Sequence, residues 1–182
     1  MGTKKHYPDD NGPPYRCGVG IVIFNQQGQV LGCLRASTKN KNTGRYENRM
    51  QWPQGGVDEG EDETEAAVRE LYEELGIRSD EVKLLMRGPE HTFYDFPDYS
   101  EHELEPGIKY RGQRHTWFAF LLLDDKHDFS FDHHDEIEFE GVEWTTLDDI
   151  VEQVVPFKRE AYGKAAAMFR HLADDLKKKS NV

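Results

Sequence analysis

The sequence has few cysteines and no long apolar run. Cys17 and Cys33 lack both the C-x-x-C spacing and the accompanying His and Cys residues of a zinc site, so we interpret both as small core residues. The longest apolar run, residues 117–123, is far shorter than the ~20 residues that a membrane-spanning helix needs. The N-terminus also lacks the apolar stretch of a secretory signal. The sequence therefore predicts a soluble intracellular protein, placed in the cytoplasm, that does not contact a membrane.

Basic residues are also scarce relative to acidic ones. Lys and Arg number 23 against 35 Asp and Glu, which gives a formal net charge of −12. Such a field repels polyanions, so a phosphate-rich substrate has to be bound by a local basic cluster or through bound cations. We therefore exclude long duplex DNA as a partner. The basic stretch at residues 37–49 is predicted to be a loop, and we interpret it either as a funnel for polyphosphates or as a merely solvated loop.

The composition is that of one folded domain. The chain has 182 residues, of which 36% are hydrophobic and 12% aromatic, enough for one packed core. Residues 1–14 are polar and rich in Pro and Gly, which predicts a flexible leader. Residues 15–182 are predicted to form a single domain, and we expect a monomer or a weak oligomer.

Hydrophobic spacing predicts a mixed α/β fold. The segments CGVGIVIFN and VLGCLRA, separated by NQQGQ, predict a hairpin. Residues 61–75 have apolar positions at helical spacing, with Thr64 or a preceding acidic residue as the cap and Gly76 as the end. Four later strands are predicted in VKLLM, HTFYDF, HTWFAFLLL and EFEGVEWTTL, and two helices at residues 146–154 and 159–179. This order predicts a mixed sheet covered by helices on both faces.

Three carboxylates share one turn of the predicted central helix. Glu70 lies three residues before Glu73 and four before Glu74, so the three side chains occupy one face. Their mutual repulsion becomes coordination when a divalent cation binds, and Mg²⁺ prefers hard oxygen ligands. The spacing therefore indicates a magnesium site.

Neighbouring residues can support this site. Arg69 can orient a carboxylate by a charge-assisted hydrogen bond, and Glu61 is the candidate partner that holds Arg69 in place. The tight loop before the helix brings the backbone close, so the carbonyl of Gly55 is a further candidate ligand.

The same segment resembles the Nudix box, G-x5-E-x7-R-E-U-x-E-E-x-G-U, in which U is aliphatic. Every defined position is matched, by Gly55, Glu61, Arg69, Glu70, Leu71, Glu73, Glu74, Gly76 and Ile77. The alternative interpretation is a solvated acidic helix. The resemblance implies an α/β/α sandwich with a mixed central β-sheet, the Nudix fold. It also implies Mg²⁺-dependent hydrolysis, with Mn²⁺ as the alternative ion, of a nucleoside diphosphate linked to another group.

Shorter segments resemble the Nudix subgroup of RNA pyrophosphohydrolase and plant-type diadenosine tetraphosphate hydrolase. They are YR before GVGIVIFN, then MQWPQGG, YDFP, GQRHTWF, EFEGVEW and VVPFKREAY. In this resemblance Glu138 completes the metal site and is the candidate general base; its alternative is an exposed strand carboxylate. The implied substrate contacts are Arg16, Tyr94, Phe157 and Lys158. Packing or solvent exposure is the alternative for Arg16, Tyr94 and Phe157.

One segment departs from the subgroup. Where the subgroup reads GQ-x-QKW, this chain has GQRHTW, so a Gln and a Lys are missing. Arg114 and His115 are the candidate substitutes for any phosphate contact that the missing pair makes.

Three functions remain open from the sequence. The leading hypothesis is hydrolysis of dinucleoside polyphosphates such as diadenosine tetraphosphate, because a net charge of −12 favours a small substrate over a long RNA. The second is removal of pyrophosphate from the 5′-triphosphate end of RNA. The third is a binding module that recognises nucleotides or RNA ends without turnover, against which the complete set of glutamates argues.

Overall fold

The computed structural model describes residues 4–9, 12–36, 50–97, 103–105, 108–134 and 136–180. The predicted basic loop at residues 37–49 therefore lies outside the described residues. Ten strands are described: β1 (His6–Asp9), β2 (Gly12–Phe24), β3 (Val30–Arg35), β4 (Met50–Gln51), β5 (Gln54–Gly56), β6 (Val82–Asp95), β7 (Glu103–Glu105), β8 (Ile108–Lys109), β9 (Gly112–Leu122) and β10 (Phe139–Thr145). The described helices are α1 (Glu63–Leu75), α2 (Leu147–Gln153) and α3 (Arg159–Ser180), with 3-10 turns at Ser79–Glu81 and Pro156–Lys158.

Eight of these strands form one mixed sheet. Its central order is β10-β3-β2-β9-β6, in which β2 and β9 are parallel and the other neighbours are antiparallel. Strand β2 is long enough to pair with β3 at its end and with β1 and β5 nearer its beginning. The predicted β2–β3 hairpin is confirmed. Its turn contains Gly28 at φ 76°, a conformation that favours glycine.

Alternate side chains along the strands of the sheet pack into two separate hydrophobic cores. On one face Ile21 and Phe118 pack with Leu71 and other apolar residues of α1. On the other face Trp117 packs with apolar residues of α2 and α3, Phe169 among them. The side chains of a strand point alternately to the two faces, so both faces of β2 and β9 are buried. The predicted α/β/α sandwich with a mixed central sheet is confirmed.

Helix α1 begins and ends as its sequence indicates. The Asp62 carboxylate accepts hydrogen bonds from the backbone N–H groups of Thr64 and Glu65, so the cap is the acidic residue before the helix. Gly76 ends the helix in the left-handed conformation, at φ 69°. No described helix is both long and apolar enough to cross a membrane.

The N-terminal segment differs from the predicted flexible leader. Residues 6–9 form β1 and residues 12–14 begin β2, with Tyr7 opposite Tyr15. The backbone N–H of Lys5 also donates to the Val57 carbonyl at 2.8 Å. Backbone hydrogen bonding to a neighbouring strand does not require an apolar sequence, so composition alone did not reveal this pairing. That residues 15–182 form a single domain stays a prediction.

Candidate active site

Arg69 organises the carboxylates of α1. Its Nε and Nη2 donate to the two oxygens of Glu61 at 2.8 and 3.0 Å. Its Nη1 donates to Glu70 Oε1 at 2.8 Å and to Glu73 Oε2 at 3.2 Å, and its Nη2 reaches the Gly56 carbonyl at 2.9 Å. These carboxylates raise the pKa of Arg69, with the Glu61 hydrogen bonds as the largest cause. The structure therefore brings together four residues of the Nudix-box pattern, as predicted from the sequence: Glu61, Arg69, Glu70 and Glu73.

Gly55 lies directly against one of these carboxylates. A Cβ atom at Gly55 would be 1.8 Å from Cδ of Glu70, so no larger residue fits there without displacing the carboxylate. Burial raises the pKa of Glu70, and the opposing effect of Arg69 is smaller. The backbone of β5 and the buried carboxylate of Glu70 therefore lie directly beside each other. A metal site that uses both as ligands requires this proximity.

Glu74 and Glu138 converge from distant parts of the chain. Glu74 is 9% exposed, and its pKa is raised well above the usual range by burial and then by the charges of Glu138 and Glu70. Its Oε2 accepts from the backbone N–H of Gln54 at 3.2 Å. Glu138 Oε1 accepts from Gln51 Nε2 at 2.8 Å. A buried carboxylate and a half-buried one that repel each other are the donor chemistry that suits a divalent cation.

The carboxylates are not already arranged as a set of ligands. Among the residues that the structure describes, no three His, Cys, Asp or Glu side chains surround one common point. Glu70 and Glu73 are each hydrogen-bonded to Arg69 instead. Each of the two carboxylates bonds to Arg69 through one oxygen only, so its other oxygen is the one that could bind an ion while Arg69 holds the side chain.

Lys158 and Phe157 lie together in the 3-10 turn directly before α3. Lys158 is 6% exposed, and its Nζ donates to Gln51 Oε1 at 3.3 Å. The same Nζ lies 5.5 Å from the ring centre of Tyr94 and 6.0 Å from that of Phe157, which is 37% exposed. Burial, followed by the charge of Arg35, lowers the pKa of Lys158 to about 8. The exposed ring of Phe157 and the buried amino group of Lys158 therefore lie side by side.

Tyr94 is buried, unlike a residue that contacts a substrate directly. It is 5% exposed, and its hydroxyl accepts from Gln54 Nε2 at 3.1 Å and donates to Gln113 Oε1 at 2.9 Å. Gln54 Oε1 in turn accepts from the Tyr162 hydroxyl at 3.0 Å. The ring of Tyr94 contacts Phe157 at 5.6 Å. Tyr94 therefore packs against Phe157 and Lys158 from the interior side.

Arg16 and His115 lie close to Tyr94. A Cβ atom at Gly56 would be 2.4 Å from Arg16 Nη2, so the guanidinium packs on the loop backbone. Among the described residues, Arg16 Nε and both ring nitrogens of His115 are buried without a hydrogen-bond partner. Burial, then the charges of Lys158 and Arg16, lower the pKa of His115 to about 3. His115 is therefore a neutral ring behind Tyr94, on which it stacks at 5.4 Å.

Arg114 is directed elsewhere. Its guanidinium lies 3.8 Å from a Glu63 carboxylate oxygen and 3.7 Å from Cys17 Sγ, on the face of the sheet that α1 covers. The sheet therefore separates Arg114 from His115 and Tyr94.

Two glutamines of the site were not predicted from the sequence. Gln51 is 1% exposed and joins Glu138 to Lys158, while Gln54 joins Glu74 to Tyr94. The available signal was their place in MQWPQGG, directly before the acidic helix. A buried amide needs both a donor and an acceptor as partners, so two such residues beside a charged cluster are candidates for holding it together.

The layered fold and the carboxylate helix define the class of this protein. The NUDIX domain family matches residues 14–165, and the chain belongs to the Nudix family. It is a hydrolase that acts on phosphoanhydride bonds, and hydrolases of this family generally use divalent metals.

Curated relatives cover nearly the whole chain. An RNA pyrophosphohydrolase of Rhizobium meliloti (strain 1021) is 42% identical over 164 residues, which are 87% of this chain and 95% of the relative. An RNA pyrophosphohydrolase of Brucella anthropi is 36% identical over 175 residues, which are 94% and 99% of the two chains. The resemblance to the Nudix family is therefore confirmed over most of the chain.

Solved structures share the fold at lower identity. The C. elegans Ap4A hydrolase binary complex has a TM-score of 0.57 at 19% identity and covers 86% of this chain and 98% of that one. The E. coli dihydroneopterin triphosphate pyrophosphohydrolase has a TM-score of 0.60 at 20% identity and covers 84% and 97%. These likenesses concern the fold alone.

Proposed function

We propose that this protein is a Mg²⁺-dependent RNA pyrophosphohydrolase, which removes pyrophosphate from the 5′-triphosphate end of RNA. The observation that carries the choice of substrate is the set of RNA pyrophosphohydrolases at 36% to 42% identity over almost their whole lengths. The comparisons thus favour the second of the sequence-based hypotheses over the leading one. Dinucleoside polyphosphate hydrolysis was preferred on net charge, which describes the whole surface and says little about one pocket.

The proposed metal ligands are Glu70, Glu73, Glu74 and Glu138, with the carbonyl of Gly55. The burial of Glu70 and Glu74, together with the repulsion that Glu73 and Glu138 add, fits a divalent cation. Bound Mg²⁺ supplies charge neutralisation for the phosphate oxygens and acidifies an attacking water.

The second part of the proposal concerns the residues that orient these ligands. Arg69, held by both oxygens of Glu61, limits the positions that Glu70 and Glu73 can adopt. Glu138 is the proposed proton acceptor for the attacking water, and its orientation is set by the 2.8 Å hydrogen bond from Gln51.

The substrate contacts form the third part. Lys158 would bind a phosphate of the 5′ end, and Phe157 would stack on a nucleobase with its exposed side. Within the described part of the chain, Arg16 Nε has no hydrogen-bond partner, which suits a contact with a further phosphate oxygen. Tyr94 would act by holding Phe157 and Lys158 in place.

A side-by-side assay tests this proposal. The protein, with Mg²⁺, is given 5′-triphosphorylated RNA and diadenosine tetraphosphate, and the products are identified. We expect faster release of pyrophosphate from RNA, leaving a 5′-monophosphate. Faster cleavage of the dinucleotide would restore the rival substrate, and binding of both without turnover would support the binding module.

A further inference from the structure

Aromatic and basic side chains form a second surface beside the N-terminus of α1. It lies on the α1-covered face of the sheet, beyond the helix end, where strands β1, β2, β9 and β6 adjoin one another. We call it the aromatic–basic surface and define it by Lys5, Tyr7, Tyr15, Arg87, Phe93 and Arg114. The proposed active site uses none of these residues.

The rings of this surface are open to solvent. Tyr7 is 47% exposed and Phe93 is 43% exposed. They meet edge to face, with ring centres 6.0 Å apart, and Tyr15 meets Phe93 in the same way at 5.2 Å. Edge-to-face contact leaves ring faces uncovered by these neighbours, so flat groups can stack on them.

The surface has more cations than carboxylates within a chain of net charge −12. The Arg114 guanidinium lies 5.1 Å from the ring centre of Tyr7, and the Arg87 side chain is 51% exposed. Both arginines pair with the single buried carboxylate of Glu63, and Lys5 is exposed beside them. At the far edge, Arg111 and Asp95 pair with each other. Stacking faces interleaved with cations suit single-stranded nucleic acid.

This surface is continuous with the loop of the active site. Lys5 N–H donates to the Val57 carbonyl at 2.8 Å, and Lys4 Nζ lies 2.5 Å from Asp58 Oδ1. The Asp58 N–H in turn donates at 2.9 Å to Glu61, the partner of Arg69. The loop at Val57 and Asp58 therefore connects the aromatic–basic surface to the carboxylates of the proposed active site.

We propose that the aromatic–basic surface binds the RNA chain downstream of the 5′ end. Bases stack on Tyr7 and Phe93, and the exposed cations Lys5 and Arg87 contact backbone phosphates, while Arg114 supports the ring of Tyr7. This inference rests on the proposed function and adds a second binding region to it. It makes the enzyme prefer an RNA of several nucleotides over a triphosphorylated dinucleotide.

The test compares substrate lengths. The double variant Tyr7→Ala/Phe93→Ala is assayed with a triphosphorylated RNA of about ten nucleotides and with a triphosphorylated dinucleotide. We expect kcat/KM for the longer RNA to fall at least about tenfold, because two stacking contacts are lost, and kcat/KM for the dinucleotide to stay unchanged. Leu84→Ala/Leu123→Ala removes two other side chains, 43% and 48% exposed, and is expected to change neither value.

Two results would overturn the proposal. Equal losses on both substrates would indicate a general structural effect, and no loss on the longer RNA would show that the surface does not bind it. Direct binding of a 5′-hydroxyl RNA of the same length, measured by fluorescence anisotropy, separates this inference from the proposed function. If neither triphosphorylated RNA is hydrolysed, the proposed function fails, while weaker anisotropy binding by the double variant would still support the surface.

Discussion

Lys158 illustrates how burial controls a single charge. It lies among the rings of Tyr94 and Phe157, and its pKa is lowered to about 8 chiefly by burial. The free enzyme therefore loses this cation as the pH rises through about 8. Between about 8 and the ordinary value of 10.5 the unfolded chain binds the extra proton, so stability contributed by this group increases over that range.

The first prediction follows from this charge. For triphosphorylated RNA, kcat/KM should fall as the pH rises above about 8, because kcat/KM reports the ionisation of the free enzyme. Lys158→Arg keeps its charge at these pH values and should lack this decline. The measurement is a pH profile of both proteins from about pH 7 to about pH 9.5. An identical decline in the arginine variant would assign the effect to another group.

The second prediction concerns the carboxylates. Glu73→Gln should lower kcat at least ~10²-fold and leave the fold intact, because it removes a proposed metal ligand from a partly exposed side chain. Glu65→Gln, which is exposed on the same helix, is the matched control and should keep wild-type activity. Circular dichroism checks the fold of both variants. Near-wild-type turnover of Glu73→Gln would contradict the proposed metal site.

At the scale of elements, α1 combines stability with positioning. Its apolar face packs on the sheet through residues such as Leu71 and Leu75, and its polar face presents Glu70, Glu73 and Arg69. The helix carries the carboxylates, so a change in where the helix ends would alter their orientation.

The third prediction tests that end. Gly76→Ala should lower the free energy of unfolding by about 1–2 kcal/mol, because alanine is strained in the left-handed conformation. Its Cβ atom would also lie 3.0 Å from His133 Nε2. Gly163→Ala lies within α3, where the added Cβ meets no described residue beyond the backbone of its own helix within 4 Å, and it should instead stabilise the protein slightly. Urea denaturation compares the two; equal effects would contradict the assigned helix end.

For the whole molecule, the proposed metal site couples binding to folding. Glu74 and Glu138 repel each other in the folded protein, and a bound cation would remove that repulsion. A ligand that binds only the folded state stabilises it by about 2.7 kcal/mol at one hundred times its Kd.

The fourth prediction is therefore a thermal shift. Saturating Mg²⁺ should raise Tm by about 5 to 10 °C for a domain of this size. Glu74→Gln should reduce the shift, since it removes one ligand. The control is a sodium salt at equal ionic strength. A shift of the same size with that salt would attribute the stabilisation to general screening.

The sequence determined the local parts of this protein. Glu70, Glu73 and Glu74 share one helical face because of their spacing, and both ends of α1 follow from Asp62 and Gly76. The β-branched run of β2 and the turn residues after it likewise predicted the β2–β3 hairpin. These features depend on residues a few positions apart, so periodicity and the resemblance to the Nudix box were sufficient to predict them.

Only the tertiary structure decided how distant residues meet. Gln51 joins Glu138 to Lys158 across 87 and 107 positions, Tyr94 is buried behind Phe157, and β1 pairs with β2 beside the active-site loop. Buried polar atoms need partners, and which partners they find depends on how the sheet and helices pack. Sequence spacing carries no record of that packing, so the carboxylate helix was predictable, whereas the amide bridges and the aromatic–basic surface were not.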